Sequence, residues 1–186
     1  SSLPVAVSGL SSVDGLGSGM GNTCALSTGE VWCWGTGTYG ELGNNATTSS
    51  NVPVKVSGIT TATDVAASLG NFACAVESGG AVWCWGRNQL GQLGDGNVPT
   101  PGAQSAVPTQ VNGITDAEQV AVGDYSACVL RSDNSISCWG RNSAGQLGDA
   151  TTVDSSTPVS VSGTADFTDV AAGAQFACGV RTGGTV

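Results

Sequence analysis

Cysteine is the residue of this 186-residue chain whose chemistry and spacing carry the most information, and there are seven. Zinc sites are usually built from cysteines separated by two to four residues, and no such knuckle occurs here. The chain has no histidine, which excludes Ser-His-Asp and Cys-His catalysis. Six cysteines instead recur nine or ten positions apart, which indicates disulfides and an oxidising compartment: Cys24 with Cys33, Cys74 with Cys84, and Cys128 with Cys138.

Each of these pairs flanks a turn of a predicted β-hairpin. Counting outward from a turn at 28–29 places Cys24 opposite Cys33 in a non-hydrogen-bonded pair. The Cα atoms of such a pair are about 4.5 Å apart, which a disulfide can bridge. The other two hairpins are one residue longer, so Gly80 and Asn134 are expected to take the left-handed position of a bulged turn. We predict three hairpin disulfides.

Acidic and amide side chains follow the repeated Gly-x-Leu-Gly turns. Asp95, Asn97, Asp149 and the pair at 44–45 could supply oxygen ligands to Ca²⁺. No EF-hand loop is present, and Asp and Asn are the ordinary residues of polar turns. Dispersed acids give no pair for glycoside hydrolysis, and the Gly-rich stretch at 15–21 is not followed by the Lys-Ser/Thr of a phosphate loop. We therefore expect no catalytic residue, no metal site and no cofactor.

One N-glycosylation sequon, Asn45-Ala-Thr, lies in a predicted surface loop. The Ser/Thr-rich segments at 47–50 and 151–157 could carry O-linked sugars or could simply be polar connections between repeats. We treat Asn45 as a possible glycosylation site.

The cysteines belong to a unit of about fifty residues that recurs along the chain. Each unit contains a proline-led Pro-x-x-Val segment, a small-residue stretch ending in cysteine, a Val-Trp-Cys-Trp-Gly or Ile-Ser-Cys-Trp-Gly segment, and Gly-x-Leu-Gly. The alternation within these segments has a period of two, which indicates β-strands. Charged residues are only 10% and glycine is abundant, which also favours short strands joined by tight turns. The repeats lie at about 1–50, 51–106, 107–156 and 157–186, the last being incomplete, and the proline-led strands begin at Pro4, Pro53, Pro108 and Pro158.

The anchors at 85–95 and 139–149, Trp-Gly-Arg-Asn followed by Gly-Gln-Leu-Gly-Asp, resemble the regulator of chromosome condensation repeat family. The resemblance covers nearly the whole chain and implies a seven-bladed β-propeller of ~50-residue, four-stranded blades, of which about three and a half are present. The paired cysteines make the chain similar to secreted, disulfide-containing members. Cys178 has no partner in this chain, and its partner is expected in the next strand, as in a piece of a longer protein.

Five tryptophans lie on the strands that carry the second cysteine of each pair. Alternation along a strand gives three of them one common environment, and packing between blades is the expected role rather than photochemistry. Those three are Trp34, Trp85 and Trp139, and the other two are Trp32 and Trp83.

The net charge of −9, from 14 acids and five cations, gives no electrostatic footprint for nucleic acid or an anionic membrane. No apolar run approaches the ~18 residues of a membrane span. We therefore expect a non-catalytic extracellular or cell-surface interaction scaffold that binds a protein or glycan through the loops at 44–52, 95–107 and 149–157. The alternative is a structural subunit of an extracellular fibril or surface layer, self-assembled through the C-terminal half-blade, and an enzyme is a third possibility.

Overall fold

A computed structural model describes residues 3, 5–97, 99–163 and 165–186. The secondary structure in these ranges is entirely β, and they contain no helix that could cross a membrane. The strands are β1 (Val13–Ser18), β2 (Asn22–Ser27), β3 (Glu30–Gly35), β4 (Ser50–Lys55), β5 (Ala62–Ala67), β6 (Phe72–Glu77), β7 (Ala81–Arg87), β8 (Gln104–Thr115), β9 (Ala117–Val122), β10 (Ser126–Arg131), β11 (Ile136–Gly140), β12 (Ser155–Ser160), β13 (Phe167–Ala172) and β14 (Ala177–Arg181).

The strands form antiparallel sheets in chain order. β1 to β4, β5 to β8 and β9 to β12 make three four-stranded sheets, and β13 and β14 make a two-stranded one. The first strands of successive sheets contact one another, β1 with β5, β5 with β9 and β9 with β13. The sheets are therefore blades packed side by side around their first strands. This confirms the predicted all-β architecture of about three and a half blades.

The proline-led strands have a place in the blade that differs from the expected one. Pro53, Pro108 and Pro158 lie in β4, β8 and β12, the outermost fourth strands, which close a blade instead of opening it. This position suits proline, because an edge strand has amides that need no ladder partner. Pro4 lies outside the described residues. Residues 5–9 are not in a strand, so the strand predicted to begin at Pro4 is wrong over the part that the structure describes.

Hairpin register aligns the cysteines as the spacing predicts. Cys24 is opposite Cys33, Cys74 is opposite Cys84, and Cys128 is opposite Cys138. All three pairs are disulfides with Cα atoms 4.1 Å apart, and Cys178 is free and exposed.

The turns between these cysteines explain the register. Thr28 and Gly29 both have positive φ, as a two-residue type I′ turn requires, and the longer hairpins place Gly80 and Asn134 at positive φ. Because side chains alternate along a strand, a shift of one residue would move each cysteine to the opposite face of its blade. The residue types in the turns therefore determine the strand register that brings each pair of cysteines together.

Tryptophans join one blade to the next. Trp85 and Trp139 are fully buried, and each donates an indole Nε1–H hydrogen bond of 2.9 Å to a backbone carbonyl in the preceding blade, at Glu41 and Gln92 respectively. Burial of an indole is favourable only when its N–H keeps a partner. These carbonyls belong to the Gly-x-Leu-Gly loops at 40–43 and 91–94. We call these two loops, and the third one at 145–148, tryptophan seats.

The last glycine of each seat is required by both space and backbone conformation. Gly43 and Gly94 have φ of 62° and 68°, in the left-handed region. A Cβ at Gly43 would lie 2.9 Å from Cδ1 of Trp85, and one at Gly94 would lie 2.8 Å from Nε1 of Trp139. Glycine therefore allows the indole to pack directly on the loop backbone.

The first strands carry a second blade-to-blade connection. Register shifts occur near the start of β5 and β13 and in the pairing of β9 with β10. A side chain on the first strand of one blade accepts a hydrogen bond from a backbone amide on the first strand of the next blade. Asp64 Oδ2 accepts from Val120 N at 2.8 Å, and Gln119 Oε1 accepts from Val170 N at 3.1 Å. Blade order is thus held at the inner strands as well as at the tryptophan seats.

The disulfide pattern predicts the number of reactive thiols. In denaturant without reductant, alkylation should modify Cys178 alone, and after reduction it should modify all seven cysteines. Each disulfide closes a loop of about ten residues, so the Cys74→Ala/Cys84→Ala double variant should lose about 2.7 kcal/mol of unfolding free energy. Intact-mass spectrometry and chemical denaturation measure both effects. More than one thiol modified without reductant would contradict the pairing.

Candidate functional site

The two ends of the blades carry different connections. One end, which we call the long-loop face, holds the turns between the first and second strands and the long loops after the third strands. The other end, the hairpin face, holds the disulfide hairpin turns and the links between blades. The long-loop face comprises the described residues 19–21, 36–49, 68–71, 88–97, 99–103, 123–125, 141–154 and 173–176.

Three of the five cations are ion-paired on the hairpin face. The pairs are Lys55 with Glu30, Arg131 with Asp116, and Arg181 with Asp166, at 2.5, 2.9 and 2.7 Å. These pairs are partly exposed, so each contributes little to stability. The remaining two cations, Arg87 and Arg141, lie on the long-loop face and form no ion pair with described residues.

The Asn of each Trp-Gly-Arg-Asn motif supports its tryptophan seat. Asn142 is fully buried, and its Oδ1 accepts a hydrogen bond from Leu147 N at 2.9 Å. Asn88 Oδ1 accepts one from Leu93 N at 3.1 Å in the same way. These amides satisfy backbone groups inside the loop that would otherwise be buried without a partner. The motif asparagines are structural.

The acidic loop residues considered for Ca²⁺ form local turns. Asp95 Oδ1 accepts a hydrogen bond from Asn97 N at 3.1 Å. Asp149 accepts from the hydroxyl and the backbone N of Thr151, and these bonds lower the pKa of its carboxyl. No group of three or more acidic or cysteine ligands assembles within the part of the chain that the structure describes. These carboxylates therefore shape the loops.

The sequon at Asn45 is placed on the surface. Asn45 is exposed and has a φ of 65°, and its backbone N donates to the carbonyl of Ala106 in the next blade at 2.9 Å. Its side chain is accessible to a glycosyltransferase, so glycosylation of Asn45 stays a prediction.

The predicted role of the tryptophans is met in two of the three aligned positions. Trp85 and Trp139 are packed between blades, whereas Trp34 in the first blade is only half-buried. Two residues earlier on the same face of the strands, Trp32 and Trp83 are also half-buried, and Trp83 Nε1 donates to Glu77 Oε2 at 2.9 Å.

Arg87 joins three blades on the long-loop face. Its guanidinium carbon lies 5.1 Å from the ring centre of Tyr39, in the first blade, and 5.8 Å from that of Tyr125, in the third. Both distances are within the range of a cation–π contact. Gln89 Oε1 accepts hydrogen bonds from Arg87 Nε and Nη2, which fixes the plane of the guanidinium. We call Tyr39, Arg87, Gln89 and Tyr125 the arginine clamp.

A groove of about 350 Å³ opens beside the arginine clamp. Its other walls are Leu90 and the segment at 99–101, Pro-Thr-Pro, so the groove is apolar next to its single cation. Tyrosine and proline present large areas at low conformational cost, and tyrosine and arginine are enriched among the residues that dominate protein–protein binding.

The next blade contains the same arginine without the clamp. Arg141, which directly follows β11, is the arginine of the third blade's Trp-Gly-Arg-Asn motif, and it donates from Nε to Ser143 Oγ at 2.8 Å. By the repeat alignment, the positions equivalent to Tyr39 and Tyr125 hold Leu90 and Gln175 there. The clamp is therefore a feature added to the repeat, and Arg141 is its internal control.

Glu41 is a buried acid in the first tryptophan seat. Its side chain is fully buried, and this desolvation raises the pKa of its carboxyl. Oε2 accepts a hydrogen bond from Tyr39 N at 2.7 Å, while Oε1 has no partner among the described residues. Gln92 holds the same place in the second seat, where its Oε1 accepts from Leu90 N at 2.8 Å.

Stacked four-stranded blades with inner first strands define a β-propeller. The profile of the regulator of chromosome condensation (RCC1) repeat matches residues 28–76, 79–130 and 133–180. The chain therefore belongs to the RCC1 repeat family.

Several curated proteins are similar over most of this chain. Human E3 ubiquitin-protein ligase HERC2 is 34% identical over 140 residues, which are 73% of this chain and 3% of HERC2. The ultraviolet-B receptor UVR8 of Arabidopsis thaliana is 29% identical over 143 residues, 75% of this chain and 32% of UVR8. The zebrafish (Danio rerio) RCC2 homolog is 33% identical over 121 residues, 64% of this chain and 24% of that protein. The chain thus spans a third or less of each of these relatives.

The fold is also found in solved structures. Prp20p of Saccharomyces cerevisiae matches 94% of this chain and 45% of its own, with a TM-score of 0.78 and 20% identity. The structure of Kap60 bound to yeast RCC1 (Prp20) gives a TM-score of 0.80 and 21% identity, over 94% of this chain and 43% of the other. At this identity the likeness establishes the propeller fold.

Neutralising the buried acid should stabilise the protein, with a predictable pH dependence. Because the pKa of Glu41 is raised, the folded state holds this proton more tightly, and stability falls as pH rises through the carboxyl pKa. Glu41→Gln should raise the unfolding free energy near pH 7 by about 1–3 kcal/mol, because it removes a desolvated charge and leaves a neutral amide like that of Gln92 in its place. The difference should vanish below about pH 4, where both states are protonated.

The second seat provides the matched control for this prediction. Gln92→Glu should destabilise the protein near neutral pH and approach the parent in acid, the mirror image of Glu41→Gln. Thermal unfolding across pH measures both. A Glu41→Gln variant that is less stable than the parent at neutral pH would show that the ionised carboxylate is needed in the seat.

Proposed function

We propose that this propeller is a non-catalytic interaction module that binds a protein partner on its long-loop face, around the arginine clamp. The observation that carries the proposal is the contact of Arg87 with both Tyr39 and Tyr125, from three successive blades, at the side of an open groove. RCC1-repeat relatives are mostly interaction or regulatory scaffolds.

The residues that hold the blades together are different from those of the arginine clamp, which supports this binding surface. Seat glycines, motif asparagines and buried tryptophans are all engaged in holding the blades together. The clamp residues are half-buried and lie outside the hydrophobic clusters of the blades. A side-chain arrangement that the fold does not use is the natural candidate for binding.

The proposed setting is extracellular or at the cell surface. Three disulfides are consistent with an oxidising compartment, because cytosolic thiols are kept reduced. The exposed sequon at Asn45 fits the same setting. In a propeller of this kind the disulfides would keep the blades, and so the clamp, rigid outside the cell.

Ligand selection tests the binding face directly. A random-peptide display library would be panned against the oxidised protein, and the selected peptides measured by biolayer interferometry. The Tyr39→Ala/Tyr125→Ala variant should weaken binding by about tenfold or more, because aromatic anchors carry most of the binding energy at such surfaces. Lys55→Ala, on the hairpin face, should leave the affinity unchanged.

Melting temperatures must show that both variants remain folded. Peptides whose affinity is insensitive to the tyrosine substitutions but is lost on substitution of the hairpin face would refute the proposed face.

A second candidate function, assembly through blade edges, is favoured by an open cavity next to β14. A cavity of about 170 Å³ is lined by the third tryptophan seat at 145–148 together with Val170, Phe176 and Cys178. Phe176 is 61% exposed, whereas Phe72 at the equivalent position of the second blade is fully buried. β14 pairs only with β13 among the described residues. A strand from another copy placed at this edge would cover the exposed phenyl ring and supply the missing hydrogen-bond partners.

The assembly candidate predicts association that depends on this edge. Light scattering coupled to size-exclusion chromatography should show mass rising with concentration, and Phe176→Arg should abolish the increase. Val153→Arg is the control, because Val153 is an equally exposed apolar residue in a long loop. A constant monomer mass in the parent protein would rule out assembly through this edge.

A further inference from the structure

The guanidinium of Arg87 presents an unused hydrogen-bonding edge. Arginine has five N–H donors, and Gln89 Oε1 accepts from Nε and Nη2, which leaves the Nη1–Nη2 end of the group available. Both tyrosine rings lie within cation–π distance of the guanidinium carbon, and Nη1 forms no hydrogen bond with the described residues, so a ligand can reach the group from the Nη1–Nη2 end. The free end has the spacing of a fork that binds a carboxylate with two parallel hydrogen bonds.

The surrounding charges leave Arg87 without a counter-ion. Three acids of the long-loop face hold their own loops, with Asp95 bonded to Asn97, Asp149 to Thr151, and Asp154 Oδ1 accepting from Asn142 N at 2.6 Å. The other two, Glu41 and Asp124, each have a buried carboxylate oxygen without a partner among the described residues, and neither forms an ion pair with Arg87. In a chain with 14 acids, an arginine fixed by two rings and an amide, yet outside every ion pair of the described residues, stands out. Its preorganised position lowers the entropy that a ligand carboxylate must overcome.

The groove beside Arg87 defines what accompanies the carboxylate. Leu90, Pro99 and Pro101 form apolar walls of the groove that Arg87 and Gln89 also line. Apolar walls next to one cation suit an acidic side chain flanked by apolar residues. They also exclude water from the ion pair, which strengthens it.

We propose that the arginine clamp is a carboxylate-binding subsite, which receives an Asp or Glu side chain of a partner protein next to an apolar residue in the groove. This inference rests on the proposed binding face and adds the chemistry of its ligand. Arg87 supplies a bidentate charge-assisted contact, Tyr39 and Tyr125 orient the guanidinium, and Gln89 fixes its plane. Arg141, which lacks both tyrosines, serves no such role.

The test pairs a charge change in the ligand with one in the protein. Amidated peptides selected by panning would be compared with versions in which each Glu or Asp is replaced by Gln or Asn. For at least one Glu or Asp position, the parent protein should bind the original peptide about tenfold or more tightly than the peptide with Gln or Asn at that position. Arg87→Gln should remove that preference, while Arg141→Gln should retain it. Arg87→Lys keeps the charge but lacks the planar fork, so it should retain only part of the preference.

The outcomes separate this inference from the proposed function. If the tyrosine double variant loses the peptides but the preference for the acidic version is unchanged in Arg87→Gln, the face binds ligands and the carboxylate assignment fails. If the selected peptides are insensitive to both, the binding face itself is wrong. Binding that requires a phosphoserine in place of the Glu would also overturn the carboxylate assignment. Melting temperatures of all variants identify any loss caused by unfolding.

Discussion

The hydrogen bond from a buried indole to the backbone of the preceding blade is the contact on which the rest of this structure depends. Trp85 and Trp139 are the largest fully buried side chains among the described residues, and an indole N–H without a partner at the blade interface would offset much of the gain from burying them. The carbonyl must therefore lie on the ring, which only a glycine backbone at Gly43 and Gly94 permits. Asn88 in turn satisfies an amide of the loop that supplies the Gln92 carbonyl, and Asn142 does the same in the corresponding loop of the third blade, whereas the first blade has Gly37 at this position. Much of the repeat motif therefore serves to bury one tryptophan side chain between two blades.

The disulfides solve a different problem within each blade. The chain is poor in aromatic residues, and its strands are short, so a single blade offers little apolar surface to hold its central hairpin. A covalent bond at the non-hydrogen-bonded pair restrains that hairpin without demanding volume, and it also excludes every shifted register. The disulfides also take part in packing between blades, because Cys24 and Cys33 lie in one buried cluster with Trp85 and the second disulfide lies in another with Trp139. The tolerance of Glu41 in a seat where other repeats place glutamine shows that this frame can carry one desolvated acid.

Much of this architecture could be read from the sequence because its causes are local or periodic. The turn residues and cysteine spacing determine the hairpin register, and the recurring anchors determine the propeller. The outer position of the proline-led strands was not predictable from the repeat alone, since a repeated unit has no intrinsic beginning; only the pairing of β4 with β3 shows where a blade ends. The arginine clamp escaped prediction for a related reason. Tyr39 and Tyr125 lie in different repeats and at non-equivalent positions, so no spacing connects them.

Repetition nonetheless offers a way to find such a site once the blades are stacked. In the second and third blades the same backbone position carries Arg87 and Arg141, and the fold constrains both through the same hydrogen bond from the arginine backbone N to the preceding turn. What differs is the pair of residues that neighbouring blades bring to it, tyrosines in one case and Leu90 with Gln175 in the other. The frame therefore cannot be the reason for the tyrosines, because the equivalent position folds without them. A partly exposed arginine between two tyrosine rings is therefore not needed for blade stacking. The long-loop face between the first and third blades carries side chains that the fold does not require. Such side chains distinguish a binding surface from the scaffold that supports it.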